Sequence, residues 1–501
     1  MNKFTAKLDE LFGIDIRALA LMRIAFSVCI LIDLADHLPY IKNFYSDEGI
    51  MPRAYAIHLL NPNSICLNLM NGSWEFQALL FFLTAVLTVG LLLGWRTRLC
   101  TFLVWILLTS FHNRNYFLLG AEDKLLHILF FWFLFLPWGA CYSLDSQRKG
   151  LHSPPLRVSS MGSVAYLLQI SFFYFFAGFL KTHPQWTTQG TAMYYTLSIN
   201  EFSKPLAHVL LQHPLLMKQM TFATLWIERW GALFFFIPFQ NIYFRLTAIA
   251  AFILFHVGIL LCMELRLFQW ICLISLIGFL PTPFLNKILG KFSPQSTPSP
   301  EKIPSGWKPN LFTMPPYLSI IVAFFIVYVF VWNMGELEKP PLRVPPNMQW
   351  IGYTFNIYQH WGMFAPRPMT DDGWCVMPGK LRNGKIVDIF NAGRPVTWRE
   401  PDSIPKLDKM YHLTLFYLNI RHKNNSYYRK PWAEYLCNEW NNTHSLDQQV
   451  LAFDINFMEK DTLADYQTAA PHRVLLISHY CDGPNNHPTA SVFKNGELPN
   501  Q

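Results

Sequence analysis

The sequence predicts a polytopic all-α membrane bundle of about nine transmembrane helices, followed by a C-terminal extracytoplasmic α+β domain. Three observations carry this reading. Of 501 residues, 52% are hydrophobic and only 14% charged, against about 25% charged in ordinary soluble domains, so the chain cannot cover a water-facing surface of its size with charge. The charge is also uneven, because residues 1–334 hold 23 Lys+Arg and 15 Asp+Glu whereas 335–501 hold 17 of each. Finally, apolar runs of about 20 residues, the length that crosses a bilayer, recur through the first part and stop near its end. This divides the chain into a transmembrane helical domain, 1–334, and an extracytoplasmic, β-rich α+β domain, 335–501. The formal net charge of +8 sits in loops and forms no basic cluster. Nucleic acid is therefore not an expected partner, and the lipid bilayer is.

Taken in order, the chain opens with MNKFTAKLDELFGIDIRAL, a polar and mildly amphipathic stretch. It lacks the short cleavable apolar core of a signal peptide, so the first span is expected to act as its own insertion signal. Spans are expected at about 18–37, 76–94, 99–119, 124–142, 162–181, 222–240, 246–264, 267–284 and 317–334. Placing the N-terminus inside puts Lys3, Lys7, Arg17, Arg96, Arg98, Arg148, Lys149 and Arg157, among others, on the cytoplasmic side. The Lys/Arg bias thus favours a cytoplasmic N-terminus and a lumenal or periplasmic C-terminal domain. The Pro/Ser-rich segment SPQSTPSPEKIPSGWKP before the last span reads as a cytoplasmic linker.

Beyond Gly335, DDGWCVMPGKLRNGKIVDIFN alternates apolar and polar positions around Asn383-Gly384, which predicts a hairpin with a type I′ turn. KMYHLTLFYLNIRHK reads as a helix or a strand, and RVLLISHYC as a strand. Nine cysteines occur without CxxC spacing, so neither zinc nor any other metal is expected. Cys66, Cys375, Cys437 and Cys481 fall on the outer side, where disulfides are permitted. Their pairing is not readable, and buried thiols are the alternative. The sequons at Asn71, Asn424 and Asn441 lie on the same side.

An ionisable group inside a span costs about 2.5 to 3.5 kcal/mol on insertion scales, so each needs a partner, a route to water or a function. Arg23 and Asp33 stand too far apart on the first span to pair with each other and are expected to fasten neighbouring helices. His112, Arg114, Glu122 and Asp123 crowd one mouth of the bundle. They form either a solvated collar or a polar vestibule in which Arg114 holds an anionic group. His256, in AFILFHVGILL with Glu264 on nearly the same face, is a hydrogen-bonding fastener or an acid/base. Lys181 closes SFFYFFAGFLK ahead of Thr182, His183, Pro184, Gln185 and Trp186. It either snorkels to water or, if the loop folds over it, becomes a desolvated amine able to act as a base. No GxxxxGK[ST], HExxH, GxSxG or GxGxxG arrangement stands in the needed context, so phosphate-cradling, zinc-peptidase and serine-hydrolase readings lack residues.

The run RIAFSVCILIDLADHLPYIKNFYSDEGIMPR, then GWRTRLCTFLVWILLTSFHNRNYFLLGAEDKLLHILFFWFLFLPWGACYSLD, YFFAGFLKTHPQW, LFHVGILLCMELRLFQW and HWGMFAPRPMTDDGW together resemble the horizontally transferred transmembrane (HTTM) family. That family is homologous to the membrane domain of vitamin K-dependent gamma-carboxylase, and the segments run from about residue 17 to 390. The resemblance implies an integral membrane enzyme that couples oxygenation of a quinol to carboxylation of glutamyl residues. Its cofactor would be reduced vitamin K or a related quinol, with O2 and CO2 as co-substrates, and its partner a glutamate-containing protein or peptide. Lys181 matches the position of the base that deprotonates the quinol, while Leu180 stands where the animal enzyme has a second lysine. Arg114 falls where that enzyme has a histidine, with His112 close by, and the Phe255-His256 pair is retained. The implied catalytic residues are Lys181, His112, Arg114 and His256, with Phe176, Trp186 and Phe255 against the cofactor. A quinol can enter from the bilayer, and a dry cavity with an amine at its edge would protect reactive species from water.

Two rival readings stand beside this one. The Leu180 and Arg114 departures motivate another quinone-dependent or lipid-modifying enzyme on the same scaffold. A non-catalytic receptor or scaffold presenting residues 335–501 is the other. A transporter is disfavoured, since no inverted repeat and no matched pair of broken spans is visible.

Overall fold

The computed structural model of the chain describes residues 3–148, 157–289, 314–401, 411–467, 469–482, 491–493 and 498. The Pro/Ser-rich linker lies outside the described residues. Among them, five helical runs are long and apolar enough to cross a membrane: Ile16–Tyr45, Trp74–Leu93, Met161–Leu180, Asn241–Cys262 and Pro316–Gly335. The pair Phe268–Phe279 and Thr282–Leu289, bent by 107°, passes the same test when taken together, as a broken span or a re-entrant loop. The protein is a multi-pass membrane protein, and six of the nine expected spans coincide with these elements.

The other three expected spans take different forms. Around 99–119 the helix Thr97–Arg114 has 18 residues, with Thr101, Thr109, Ser110, His112, Asn113 and Arg114 all buried. Around 124–142 the helix Ala121–Phe133 has only 13 residues, a length short of the roughly 20 that a crossing needs. Around 222–240 the helix Pro214–Trp230 passes into a 3₁₀ turn, Gly231–Phe236, ahead of Pro238. Ala121–Phe133 is buried inside protein along most of its length, whereas Phe222, Trp226, Trp230, Leu233 and Phe239 of the third run are exposed.

The helices used below are α1 (Ile16–His37), α2 (Trp74–Leu93), α3 (Thr97–Arg114), α4 (Ala121–Phe133), α5 (Met161–Leu180), α6 (Pro214–Trp230), α7 (Asn241–Cys262), α8 (Phe268–Ser275) and α9 (Pro316–Gly335). Local chemistry sets their ends. The Ser73 hydroxyl accepts from the Phe76 N–H to start α2, and Gly94 ends it at φ +68°, a conformation that favours glycine. Helix α5 starts in a reciprocal Ser160–Ser163 capping arrangement. Phe82 on α2, Leu254 on α7 and Ile320 on α9 point outward, exposed by 64%, 75% and 70%, as lipid-facing positions should be. Helices α1 and α5 are instead central.

Arg23 shows how the bundle is fastened. Its fully buried guanidinium donates to the carbonyls of Leu91 (2.7 Å), Leu92 (2.8 Å), Trp138 (3.2 Å) and Tyr142 (2.6 Å). It thereby caps the C-terminal end of α2, whose last carbonyls have no helical partner, and ties in the turn after α4.

After α9 the chain first turns back into the bundle. Gln359 Oε1 accepts from Gln169 on α5 (2.9 Å) and from Trp361 Nε1 (2.8 Å), and the Trp361 ring meets Phe173 at 4.8 Å. Only then does the sheet form, from β3 (Asp371–Val376), β4 (Pro378–Leu381), β5 (Ile386–Asp388), β6 (Val450–Asp461) and β7 (His472–Tyr480); β1 (Ile14–Asp15) and β2 (Arg157–Val158) form a separate ribbon. All pairings are antiparallel; β6 carries β3 and then β4 along one edge and β7 on the other. Helix α11 (Arg429–Thr443) packs on β6 and β7, and α10 (Tyr411–Arg421) packs beside α11 through Phe416 and Tyr417 against Trp432. The segment read as helix or strand is thus the helix α10, and RVLLISHYC falls in β7.

The β4–β5 hairpin forms at Asn383-Gly384, but with a different turn. Of the two residues only Gly384 has a positive φ, +84°, whereas type I′ requires it at both central positions. The Gly384 N–H donates to Leu381 C=O, and Leu381 N–H donates to Lys385 C=O, which is a three-residue loop with glycine in the left-handed place. Cys437 and Cys481 form a disulfide between α11 and the end of β7; Cys66 and Cys375 take no part in it.

Arg23→Ala is expected to lower stability by about 3 kcal/mol, because four carbonyls lose a donor where water cannot replace it. Thermal unfolding in detergent measures this, and Arg23→Lys should recover only part of the loss, since an ammonium cannot span the same carbonyls.

Candidate functional site

The site begins where α5 ends. Lys181 leaves helical geometry (ψ +77°), and His183 is extended, as residues before proline are. The end of α5 is closed by Arg229 on α6, whose Nε donates to Gly178 C=O (2.9 Å) and whose Nη2 donates to Lys181 C=O (3.0 Å). This contact needs glycine at 178, since a Cβ there would lie 2.8 Å from the Arg229 backbone nitrogen. Capping by Arg229 brings its neighbour Glu228 to the lysine. Lys181 Nζ lies 2.7 Å from Glu228 Oε2, donates to Ala177 C=O (3.2 Å) and sits 5.3 Å from the centre of the Trp186 ring. Lys181 is 2% exposed and Glu228 7%, so the amine does not snorkel; it is an ion-paired group inside the protein.

The pair opens onto a cavity of about 80 Å³. Phe173, Trp186, Phe255, Met263, Phe268 and Met363 supply apolar walls. Opposite the lysine in the lining stand Tyr174 and His256, with the tyrosine hydroxyl 2.7 Å from His256 Nε2. His256 Nδ1 lies 2.8 Å from Gln269 Oε1. A carbonyl oxygen can only accept, so Nδ1 carries the proton and Nε2 is left to accept from the tyrosine. The Trp186 indole donates to Phe364 C=O (2.9 Å); this holds the segment after Trp361 across the cavity as its roof.

Four residues singled out in the sequence share this cavity: Lys181, His256, Trp186 and Phe255. Phe176 is buried outside the lining, against Phe172 and Phe330. Arg114 and His112 are also outside it. The Arg114 guanidinium donates to Met51 C=O (2.6 Å) and Ser46 C=O (3.2 Å), so it holds the loop after α1. His112 Nδ1 lies 2.5 Å from His127 Nε2, and its Nε2 lies 3.4 Å from Asp123. Glu264 pairs with Lys204 at 2.9 Å rather than with His256. Sequence reasoning missed Glu228, Tyr174 and Gln269. For Glu228 the signal was an acid inside the apolar run LWIERWGALFFF; Tyr174 and Gln269 left none that distinguishes them from core residues.

Among the described residues, two groups of side chains converge closely enough to hold a metal. In one, Cys437 and Cys481 are spent on the disulfide beside His479. In the other, Asp33, His37 and His412 already surround a cation, because Arg266 Nη1 lies 2.7 Å from Asp33 Oδ1 and 2.5 Å from His412 Nε2. This second cluster joins α1 to α10.

Among known families, the HTTM domain matches residues 13–283, more than half of the chain. No curated protein and no solved structure matches it.

Glu228→Ala leaves a buried ammonium without its counter-charge and should cost about 3 to 5 kcal/mol of stability. Lys181→Met combined with Glu228→Met removes both charges and should unfold close to the wild-type temperature, since an apolar pair can replace a buried ion pair at little cost.

Proposed function

The chain belongs to the HTTM family, and on that premise we propose that it is a carboxylase-like membrane enzyme in which Lys181 deprotonates a lipid-borne quinol. The membership makes it a membrane protein related to the gamma-carboxylases. The observation that carries the reading is the buried amine of Lys181, paired with Glu228 at the edge of an apolar cavity. A quinol held there by Lys181 and the aromatic walls would supply, with oxygen, a base for carboxylation of a glutamyl group.

The residues fit such a ring. Phe173, Trp186, Phe255 and Phe268 offer flat apolar surfaces, and polar atoms stand at Lys181 and Glu228 and at Tyr174 and His256. One buried atom beside the lining, Gln269 Nε2, has no hydrogen-bond partner among the described residues. For Lys181 Nζ to take the proton of a hydroxyl placed against it, the resting ammonium first passes its own proton to the Glu228 carboxylate 2.7 Å away, so that the pair becomes neutral before the lysine is recharged. Ala177 C=O and Arg229 orient the pair. Tyr174 and His256 orient the reactants, and the Trp186–Phe364 contact keeps water out. The Lys/Arg distribution supports a cytoplasmic N-terminus, and the Cys437–Cys481 disulfide supports a lumenal or periplasmic position for residues 335–501.

A second reading rests on Arg114, whose guanidinium lies outside the cavity, on Met51 C=O and Ser46 C=O with Asp47 3.6 Å away. In it the same pair deprotonates another lipid-borne substrate and no glutamyl carboxylation follows.

The test supplies purified protein in lipid nanodiscs with reduced vitamin K, oxygen, labelled bicarbonate and a glutamyl peptide. Wild type should incorporate label, and Lys181→Ala should lower the rate by about 100-fold or more. Incorporation that survives Lys181→Ala removes the assigned base. A wild type that consumes quinol without fixing label selects the second reading.

A further inference from the structure

A second cavity, of about 450 Å³, lies on the other side of the loop that carries Lys181. The two cavities share two stretches of chain and divide their residues between them. From the loop after α5, Lys181 and Trp186 face the apolar chamber, whereas Leu180, Thr182, His183 and Pro184 line the second cavity. From the roof segment, Met363 and Phe364 face the chamber, whereas Gly362, Ala365 and Pro366 line the second. The stretches are tied together by the His183 N–H, which donates to Pro366 C=O (3.2 Å), and by the Trp186–Phe364 bond. The partition is therefore a single layer of chain, with the lysine side chain on its dry face.

The two sides differ in chemistry. The chamber is apolar except for its paired groups, but the second cavity carries Glu336, Glu338, His183 and His360, with His360 Nδ1 2.8 Å from Glu336 Oε2. Among the described residues, no lysine or arginine is in its lining. Glu338 is exposed and Glu336 half-buried, so the cavity opens to water. An enzyme that joins a lipid-borne reactant to a water-borne one needs two approaches to the reacting point, and only one of them can be wet without flooding the chamber.

We infer that the cavity lined by Glu336, Glu338, His183 and His360 is the docking site of a polar co-substrate, a peptide segment with lysine or arginine beside its reacting residue. This deepens the proposed function and rests on it for what happens after docking. Glu336, shared with His360, and the exposed Glu338 are the carboxylates of a lining whose described residues include no lysine or arginine, and they favour a basic segment over an acidic one. A glutamyl acceptor would thus be recognised through its flanking cations, with the reacting carboxyl directed towards the partition.

Binding is measured separately from turnover, by fluorescence anisotropy of rhodamine-labelled peptides on the full chain in nanodiscs. Two peptides of equal length share a central glutamate, one flanked by lysines and the other by glutamates. The lysine-flanked peptide should bind at least about tenfold more tightly, and Glu336→Gln with Glu338→Gln should remove about tenfold of its affinity. Glu338→Lys, a change at an exposed rim position, should shift the preference towards the glutamate-flanked peptide. Equal binding of the two peptides, or binding unmoved by these variants at unchanged unfolding temperature, overturns the inference. Selective binding with no label fixed supports the docking site and removes only the carboxylation reading.

Discussion

Lipid supplies no hydrogen bonds, so every charge and every open backbone group in this bundle must be answered from within the protein. That constraint explains most of what its polar residues do. Arg23 answers four carbonyls at the end of α2 and after α4. Arg114 answers two in the loop after α1, and Arg229 closes the end of α5. In each case a planar guanidinium with several donors collects carbonyls from segments distant in the chain. The arginines are thus architectural, and the carbonyls they bind set where the helices end.

Lys181 and Glu228 obey the same constraint with a different result. A lysine has a compact head that one carboxylate can match, and its remaining bond to Ala177 C=O stays within its own helix. The pair consequently leaves one side open to the cavity. That the two residues meet at all depends on Gly178, which lets α6 approach closely enough for Arg229 to cap and Glu228 to pair. A methyl group at that position would separate the helices and disperse the site.

The C-terminal region completes the chamber. Before it forms a sheet it places Gln359 and Trp361 among α5 and α9 and sends Met363 and Phe364 across the cavity. The hydrophobic core runs unbroken from the bundle into this region. Asp33, His37, Arg266 and His412 fix a second junction, between α1 and α10. Met363 and Phe364 face the apolar cavity, and Gly362, Ala365 and Pro366 of the same segment line the second one.

Composition and the length of apolar runs determined the membrane class, because the thickness of a bilayer and the cost of an exposed backbone are the same for every chain. They also identified the central spans, the β-hairpin at Asn383-Gly384 and a lysine stranded at the end of a span. Three apolar runs read as spans take the form of an 18-residue helix, a 13-residue helix and a helix that passes into a 3₁₀ turn, since an apolar run alone does not fix where a helix ends. The turn type, the Cys437–Cys481 pairing and the partner of Lys181 depended on contacts between residues far apart in sequence. Glu228 lies on another helix, and no local pattern links it to Lys181. Only the crossing of α5 and α6 at a glycine brings them within 2.7 Å, because side-chain partnership is set by helix packing and the sequence by itself fixes only which residues stand ready for it.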